Sequence, residues 1–272
     1  MSTKGVYTAL SGAMAQNQRL DTIANNIANV NTPSFKRDQQ LFKEYLSANE
    51  KPSEVLQVPR VPSSIESFYD MQGGDKSFVD SAGTFTDFSQ GGLKPTGNPL
   101  DVAIDGKGFF EVATPSGVML TRNGSFSIDG NGQLVTKQGF PVLKMGAEGE
   151  DPAQRVIKIS GGYPLQISDG GELVENGQVV SQLSLVEVND KEKLSKVGSS
   201  LYKLRNVSPQ DKEILKKPSL KQGFLESSNI NIVQEMTDMI TATRVFESTQ
   251  KAISAYDSMS DKLVNVVGKT NP

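Results

Sequence analysis

The sequence predicts an α+β protein in which two long terminal helices pair as a coiled-coil stem and an antiparallel β-rich domain lies between them in the chain. Three observations support this prediction. Residues 3–30 contain no proline and show helical periodicity. Residues 52–223 are rich in Gly, Pro, Ser and Asp, with short apolar runs between turn signals. Residues 229–267 contain neither Gly nor Pro and again follow a helical pattern.

The first helix carries an apolar stripe whose members are three and four residues apart, which is typical of the seam of a coiled coil. We expect the stripe to form an assembly interface. Its members, which follow Val6, are Leu10, Ala13, Asn17, Leu20, Ala24 and Ile27.

The other faces of the first helix carry very little charge. Between residues 2 and 30 the charged residues are Lys4, Arg19 and Asp21, and most other positions are small or amide residues. A helix that faces water normally carries more charge on its outer face. Three interpretations stay open: a stem within one chain, a helix lying on a membrane surface, and self-assembly of many copies. A membrane-surface helix needs more Lys and Arg, so the pattern favours self-assembly.

The last helix begins at residues 227–229, where hydroxyl and amide side chains can cap the free backbone amides. At about 1.5 Å per residue it would be roughly 55 Å long, against about 40 Å for the first helix. Both helices are therefore too long to fold back neatly onto a small β domain. The apolar stripe of the last helix runs from Ile232 through Tyr256 to Val267. The stripe residues that we expect in the assembly interface are Met236, Met239, Phe246, Ile253 and Leu263.

The middle of the chain shows three hairpin signals. Asn123-Gly124 separates two apolar runs, residues 129–132 form a second turn, and Asn176-Gly177 forms a third. These pairs favour tight two-residue turns, which predicts antiparallel β structure with short connections. Further strands are expected at residues 100–104, 108–112, 156–159 and 183–188.

Two short motifs look like ligand sites, and both are explained more simply as turns. Residues 105–108 resemble a glycine-rich phosphate loop, but a strand follows them where a helix would be needed. Residues 129–133 resemble the start of a calcium loop, but Leu134 and Phe140 replace its required Gly and Glu. Neither motif amounts to a catalytic or metal site.

The composition excludes several classes of function. The 272 residues carry 28 Lys and Arg against 31 Asp and Glu, a formal charge of −3, which argues against a nucleic-acid partner. The chain has no His and no Cys, so it lacks the commonest general base and the thiolate ligands. We therefore predict a structural or binding protein, with no enzymatic activity, cofactor, metal or small-molecule substrate, and no insertion into a membrane.

Three separated stretches, residues 9–36, 98–142 and 223–247, together resemble the bacterial flagellar rod and hook family of axial proteins. The first is similar to the family's rod signature, with Ser34 where that motif usually carries Gly. The second resembles its characteristic β segment and the third its closing helix. The matching motif residues are Asn25, Asn26, Asn29, Asn31, Pro33, Asp105, Gly106, Gly108, Phe109 and Phe110.

The resemblance implies that the terminal helices of many copies pack into an inner tube around an export channel, with the β domains outside. The implied partners are further copies of the chain, other rod proteins, neighbouring hook or ring proteins and the flagellar type III export machinery. The implied location is the basal-body rod across the periplasm, reached without a cleaved signal peptide. The implied role is mechanical, namely the transmission of motor torque. Residues 5–12 resemble a proximal rod member more than a distal rod or hook member.

The predicted domain organisation follows from the resemblance and the composition together. Residues 1–46 and 225–272 form the two helical parts of the inner-tube domain, residues 47–95 an extended connector, and residues 96–224 the β-rich outer domain. A competing hypothesis is a soluble carbohydrate- or peptide-binding β domain that its helical ends merely dimerise. The binding-module hypothesis predicts a discrete folded dimer, whereas the family hypothesis predicts helical ends that order fully only in the assembly.

Overall fold

The computed structural model describes residues 3–46, 77–146, 150–160, 164–205, 211–215 and 218–262. The chain forms two compact units. The helical unit comprises residues 1–27, 38–85 and 232–272. The β unit comprises residues 28–37 and 86–231. The predicted α+β class, with a helix near each end and antiparallel β structure between them, is confirmed.

The two long helices lie where the sequence predicts them, and the predicted end of the last helix near residue 267 lies outside the described residues. Helix α1 spans Thr3–Ala28 and helix α2 spans Ile232–Lys262. Helix α1 ends shortly before Pro33, because a proline disfavours helical backbone in the residue before it. Ahead of α2, the Ser228 hydroxyl accepts a hydrogen bond from the Ile230 amide at 3.3 Å. The predicted stripe residues Leu263 and Val267 lie outside the described residues.

Two contacts show that α1 and α2 run antiparallel. The Asn26 side-chain amide donates to the Glu235 carboxylate at 3.2 Å. A Cβ built on Gly5 would lie 3.5 Å from the ring of Tyr256. The beginning of α1 therefore lies beside the end of α2, and the reverse holds at the other end.

The described part of the helical unit also contains a pair of strands. Strand β1 (Asp38–Leu46) pairs with β2 (Ser77–Thr86). Residues 38–46 lie in the stretch that the sequence assigns to the helical part of the inner-tube domain, and residues 77–86 lie in the predicted extended connector; both segments form strands that the sequence does not predict. The apolar residues of β1 come as the adjacent pairs Leu41-Phe42 and Tyr45-Leu46, without the alternation that is typical of a strand, so its pattern does not predict the pairing with β2. Residues 47–76 of the predicted connector lie outside the described residues.

The β unit is built from short antiparallel strands. In chain order they are β3 (Leu93–Pro95), β4 (Val102–Ile104), β5 (Phe109–Thr114), β6 (Gly117–Thr121), β7 (Phe126–Ile128), β8 (Leu134–Thr136), β9 (Gln166–Ile167), β10 (Glu172–Glu175), β11 (Gln178–Gln182), β12 (Leu185–Val188), β13 (Leu194–Gly198), β14 (Leu201–Leu204), β15 (Lys212–Ile214), β16 (Leu220–Gln222) and β17 (Phe224–Glu226). The largest sheet has the order β13-β14-β6-β5-β12-β15, and smaller sheets pair β11-β10-β9, β16-β4, β17-β3 and β7-β8.

The large sheet is buried on both faces, which explains why consecutive residues of its strands are both apolar. Successive residues of a strand point to opposite faces. Phe110 accordingly belongs to a large apolar cluster, whereas Phe109 packs with Val186 and Tyr202 in a smaller one. The Phe109 and Tyr202 rings meet edge to face, with centroids 5.7 Å apart. The Phe-Phe pair of the family motif therefore joins the two layers of the core.

Two of the three predicted hairpins are confirmed. Strands β7 and β8 pair across residues 129–133, where Asp129 accepts hydrogen bonds from the Asn131 and Gln133 amides at 2.9 and 2.7 Å. Strands β10 and β11 pair across Asn176 and Gly177, whose φ angles are +52° and +76°. Positive φ at both central residues is what a tight hairpin turn requires.

The predicted hairpin at Asn123-Gly124 is wrong. Strand β6 pairs with β5 and β14, whereas β7 pairs with β8 in another sheet. Gly124 is needed for a different reason, because a Cβ at this position would lie only 1.7 Å from the Val102 carbonyl oxygen. The glycine therefore permits a close backbone approach between two parts of the sheet core. The strand expected at residues 156–159 is likewise reduced to isolated bridges.

Candidate assembly site

The buried side of helix α1 differs from the predicted seam. Ala13, Ala15, Ile23 and Asn26 are buried, whereas the seam residues Leu20 and Ile27 are half-buried. The remaining seam residues are exposed: Leu10, Asn17 and Ala24.

The buried side of α1 differs from the predicted seam because α1 is covered from two sides. Helix α2 covers one side through the Asn26–Glu235 hydrogen bond and the Gly5–Tyr256 contact. Strand β1 covers another, since Asn26 exchanges hydrogen bonds with the Asp38 backbone at 2.9 and 3.0 Å. A heptad stripe also drifts by about 20° per heptad on a straight helix. The stripe therefore crosses the border between the covered and uncovered sides.

The uncovered side of α1 carries a continuous exposed stripe that we call the α1 face. Its members lie three and four residues apart and begin with large apolar side chains. Tyr7 is 61% exposed and Met14 is 60% exposed. The α1 face consists of Tyr7, Leu10, Met14, Asn17, Asp21, Ala24 and Ala28. Large apolar groups on a helix surface, with one charged residue in the stripe, are typical of a surface that packs against protein.

Helix α2 likewise separates a contact side from an exposed side. Glu235 and Ala242 are buried, and the predicted residues Met239, Phe246 and Ile253 are half-buried. The other described prediction, Met236, is 49% exposed. The predicted assembly residue Leu263 lies outside the described residues. The predicted set therefore mixes residues that hold the helix pair together with residues that face outward.

The buried end of the helix pair is polar. The Asn26 side chain donates to the Asp38 carbonyl and to Glu235 and accepts from the Asp38 amide. Both Asn26 and Glu235 are only 1% exposed. A buried carboxylate that lost these hydrogen bonds would destabilise the fold, so this contact fixes the register of α1 and α2.

The β unit contains a buried group of charges that we call the ion cluster: Lys36, Arg122 and Glu226. Glu226 accepts from the Lys36 ammonium at 2.6 Å and from the Arg122 Nε at 2.8 Å. The side chains of Lys36 and Glu226 are fully buried and that of Arg122 is 5% exposed. The Gly91 amide donates a further hydrogen bond to Glu226 at 2.9 Å. The cluster holds two cations on one carboxylate.

The three motif stretches meet at the ion cluster. Lys36 closes the first stretch, Arg122 lies in the second and Glu226 in the third. The Arg122 guanidinium also donates to the carbonyls of Gly106 and Gly108 at 2.8 and 3.0 Å. Both glycines have φ near +120°, which exposes these carbonyls to the guanidinium and which other residues rarely adopt. Residues 105–108 are therefore a turn that binds a protein side chain.

Burial dominates the electrostatics of Lys36. Removal of the ammonium from water lowers the pKa of Lys36 below its ordinary value, although the Glu226 carboxylate opposes that shift. The ammonium also donates to the Ser89 carbonyl at 2.7 Å. The Lys36 carbonyl accepts from Lys196, and the Lys196 ammonium lies 4.2 Å from the centroid of the Phe35 ring. The segment after α1 is thus tied to the β unit by several charge-assisted contacts.

A second buried carboxylate, Glu111, sits in the middle of strand β5. It forms ion pairs with Arg155 and Lys212 and accepts from the Ser184 hydroxyl at 2.6 Å. Burial alone would raise the pKa of Glu111, but the Lys212 charge and the hydrogen bonds from Lys212, Ser184 and Arg155 outweigh it. The net effect lowers the pKa of Glu111 below its ordinary value.

The remaining motif residues have structural roles or face outward. Asn29 accepts from the Thr32 hydroxyl at 3.2 Å and shapes the turn after α1. Asn25, within α1, and Asn31, in the turn, are exposed. The Pro33 carbonyl accepts from Ser200 at 3.4 Å. Asp105 pairs with Lys221 at 2.7 Å. The motif therefore serves mainly to stabilise the chain around the ion cluster.

Sequence reasoning missed the ion cluster and the Asn26–Glu235 contact. Lys36 follows Phe35 and Glu226 follows Leu225, and charged residues beside apolar ones are a usable signal for buried pairs. Arg122 stands between two polar residues and carries no such signal. Pairing them, however, requires contacts across up to 190 positions of sequence.

Within the described residues, no helix has the length and apolar character needed to cross a membrane. Over the same residues, no group of three or more acidic side chains could hold a metal ion.

Three family models match the chain in the order of its three motif stretches. A model described as flagella basal body rod protein matches residues 6–36. One described as flagellar hook protein FlgE/F/G D1 domain matches residues 103–182. One described as flagellar basal body rod FlgEFG protein C-terminal matches residues 221–266.

Curated relatives match over nearly their whole length. The flagellar basal-body rod protein FlgF of Mesorhizobium japonicum is 34% identical, covering 97% of each chain. The flagellar basal-body rod protein FlgG of Borreliella burgdorferi is 35% identical, over 94% of this chain and 96% of the relative. The FlgG protein of Bacillus subtilis is 33% identical, over 97% of this chain and 98% of the relative.

The ordered match of all three models, the full-length relatives and the convergence of the motif stretches on one buried cluster agree with one another. The chain belongs to the flagellar basal-body rod family of structural proteins.

Proposed function

We propose that the chain is a structural subunit of the flagellar rod that assembles through its terminal helices into a helical, hollow, torque-transmitting shaft. The observation that carries the proposal is the α1 face, which exposes Tyr7, Leu10 and Met14 on a helix with almost no charge. In water such a face is unfavourable, and burial against neighbouring helices would stabilise it by about 25 cal/mol per Å² of apolar surface.

The antiparallel α1–α2 pair suits a load-bearing inner layer. Its polar contact through Asn26 fixes the register of the two helices, so that load on one is shared by the other. The β unit would form the outer layer, and its ion cluster holds the segment at residues 34–37 to the sheet core. In this proposal the chain catalyses no reaction, and its side chains serve packing and anchoring.

The proposed partners are further copies of the chain, other rod proteins, neighbouring hook or ring proteins and the flagellar type III export machinery. The proposed location is the rod across the periplasm, reached without a cleaved signal peptide. The relatives carry two different rod-protein names at nearly equal identity. We propose the proximal rod, on the resemblance of residues 5–12, with the distal rod as the alternative.

Electron microscopy of basal bodies from a strain that lacks the gene tests this proposal. We expect assemblies that stop at the membrane ring with little or no rod. A rod that is present but shortened would assign the chain to the distal rod, and a complete rod without a hook would assign it to the hook. Intact flagella would contradict the proposed function.

A further inference from the structure

The sequence contains three Asn-Gly pairs, and the β unit places them in three different surroundings. The pairs are Asn123-Gly124, Asn131-Gly132 and Asn176-Gly177. In an Asn-Gly pair the backbone nitrogen of the glycine can attack the side-chain carbonyl carbon of the Asn, because glycine has no Cβ to obstruct the approach. None of the roles described above uses this reactivity. The geometry around each pair decides whether it can react in the folded chain.

The Asn123-Gly124 pair is closed to this reaction. Gly124 is buried, and a Cβ built on it would lie 1.7 Å from the Val102 carbonyl oxygen. The Gly124 carbonyl also accepts a hydrogen bond from the Val102 amide at 3.0 Å. The Asn123 side-chain carbonyl accepts one from the Ser125 amide at 3.1 Å. The attack requires the Asn side chain to turn toward the glycine nitrogen, and these contacts hold both groups in place.

The Asn131-Gly132 pair is exposed at its first residue but is restrained. The Gly132 amide, which carries the attacking nitrogen, donates to the Asp129 carbonyl at 3.0 Å. The Asn131 side-chain amide donates to the Asp129 carboxylate at 3.4 Å. A Cβ built on Gly132 would lie 2.6 Å from the Ile159 carbonyl oxygen, so the neighbouring backbone leaves little room for a ring to form.

The Asn176-Gly177 pair is open. Both residues are exposed, and among the described residues only chain neighbours lie within 4 Å of the position that a Cβ on Gly177 would take. Glu175 and Gln178, which flank the pair, form the last ladder pair of strands β10 and β11. In a two-residue hairpin the ladder ends at the flanking pair, so the Gly177 amide takes no part in it.

We infer that Asn176 is a site of spontaneous modification, at which the chain deamidates itself while the fold protects the other two pairs. The Gly177 nitrogen attacks Cγ of Asn176, so that a C–N bond forms and the bond from Cγ to Nδ2 breaks. The proton of the attacking nitrogen leaves with the ammonia that is released. Water then opens the succinimide ring at either carbonyl, which gives aspartate or isoaspartate. The inference goes beyond the proposed function and does not depend on it.

The two products affect the β10–β11 hairpin differently. Aspartate leaves the main chain intact, and Asp-Gly favours the same tight turn as Asn-Gly. Isoaspartate adds a methylene group to the main chain, so the turn no longer matches the ladder pair of Glu175 and Gln178. Both products place a negative charge beside Glu175, which is only 6% exposed. Isoaspartate should therefore loosen β11, an edge strand of its three-stranded sheet.

Peptide mapping of the natural full-length chain tests the inference. The folded chain is incubated at mildly alkaline pH, which favours loss of the amide proton, and is then digested with pepsin in acid, where the reaction stops. We expect the mass change from Asn to Asp to accumulate at Asn176 at least about ten times faster than at Asn123 or Asn131, which react only after local opening. In concentrated urea, where the fold is lost, the three pairs should react at similar rates.

Two variants serve as controls. Asn176→Gln lengthens the side chain by one methylene group, so the same ring cannot form, and position 176 should keep its mass over the same period. Asn176→Asp carries the charge on a normal main chain and should keep the hydrogen-exchange protection of the β11 amides, whereas chains that contain isoaspartate should lose it.

Equal rates at the three pairs in the folded chain would overturn the inference, as would a faster reaction at Asn123 or Asn131 than at Asn176. A mass change in Asn176→Gln at the natural rate would overturn the proposed ring closure. Full protection of β11 in chains that contain isoaspartate would overturn the predicted effect on the hairpin.

Discussion

Replacing Glu226 by Gln should destabilise the β unit strongly. The substitution keeps the size of the side chain but leaves the buried cations of Lys36 and Arg122 without their carboxylate. Removing one partner of a buried ion pair typically costs about 3–5 kcal/mol. The loss should fall in the upper part of that range, because Glu226 offsets two cations and also accepts from the Gly91 amide.

The matched comparison is Lys36→Met, which removes one cation and fills much of the same space. It leaves Arg122 and Glu226 as a balanced pair and loses two hydrogen bonds, so we expect a cost of about 1–2 kcal/mol. The double variant Lys36→Met/Glu226→Gln should be less destabilised than the sum of the two, because one unpaired charge is gone.

Hydrogen exchange of the full-length chain, read on the amides of strands β5 and β12 in increasing urea, measures the opening free energy of the β unit alone. The expected order of stability is natural chain, Lys36→Met, Glu226→Gln. If Glu226→Gln lowered the opening free energy by less than about 1 kcal/mol, or if Lys36→Met lowered it more than Glu226→Gln does, Glu226 would not be the group that offsets two buried cations.

Three further predictions test other parts of the structure. Gly124→Ala should lower the free energy of unfolding, measured by urea denaturation, by at least about 2–3 kcal/mol, because the added Cβ would meet the Val102 carbonyl oxygen. The control Gly130→Ala has open space around it and should change the free energy of unfolding by less than about 1 kcal/mol. Because the pKa of Glu111 is lowered in the folded state, its carboxylate contributes to folding stability above pH 4.5, the ordinary pKa, and this contribution is lost as pH falls through the folded-state pKa. In the variant Glu111→Gln, the melting temperature should therefore depend less on pH in the acid range. Asn26→Ala should lower the stability of the helical unit by about 1–3 kcal/mol in helix-detected circular-dichroism melts, and an equal loss for the exposed control Asn17→Ala would contradict the role given to Asn26.

The helices and most hairpins were predictable because local signals determine them. The absence of proline indicated the extent of α1 and the absence of both proline and glycine that of α2, and Asn176-Gly177 indicated a hairpin by its backbone preferences alone. The same signal failed at Asn123-Gly124, where tertiary packing uses the glycine for a close approach to Val102. A dipeptide cannot distinguish these two uses of glycine.

The faces of the helices were harder to assign than their bounds. Two of the buried positions of α1 are the small residues Ala13 and Ala15, which do not mark a covered side in the sequence. The heptad pattern therefore leaves out Ala15 and Asn26, which are buried, and groups the exposed Leu10 and Ala24 with the buried Ala13. Which side of a helix is covered depends on partners that are distant in sequence.

The sequence shows the charged residues of the ion cluster but does not predict which of them pair. Each charged residue lies in a separate motif stretch, and sequence gives no distance between Lys36 and Glu226. Only the folded chain shows that the carbonyls of Gly106 and Gly108 hold Arg122. The motif residues thus gain a physical reason that the sequence pattern alone does not supply.

The most direct test of the proposed role is complementation of the gene deletion with Leu10→Lys/Met14→Glu, scored by electron microscopy of purified basal bodies. Both changes place charge on the α1 face without disturbing the α1–α2 contacts, and Leu10→Met/Met14→Leu is the matched apolar control. The account predicts that the charged variant is produced and folds but leaves basal bodies without a complete rod, while the control restores it. Complete rods built from the charged variant would contradict assembly through the α1 face.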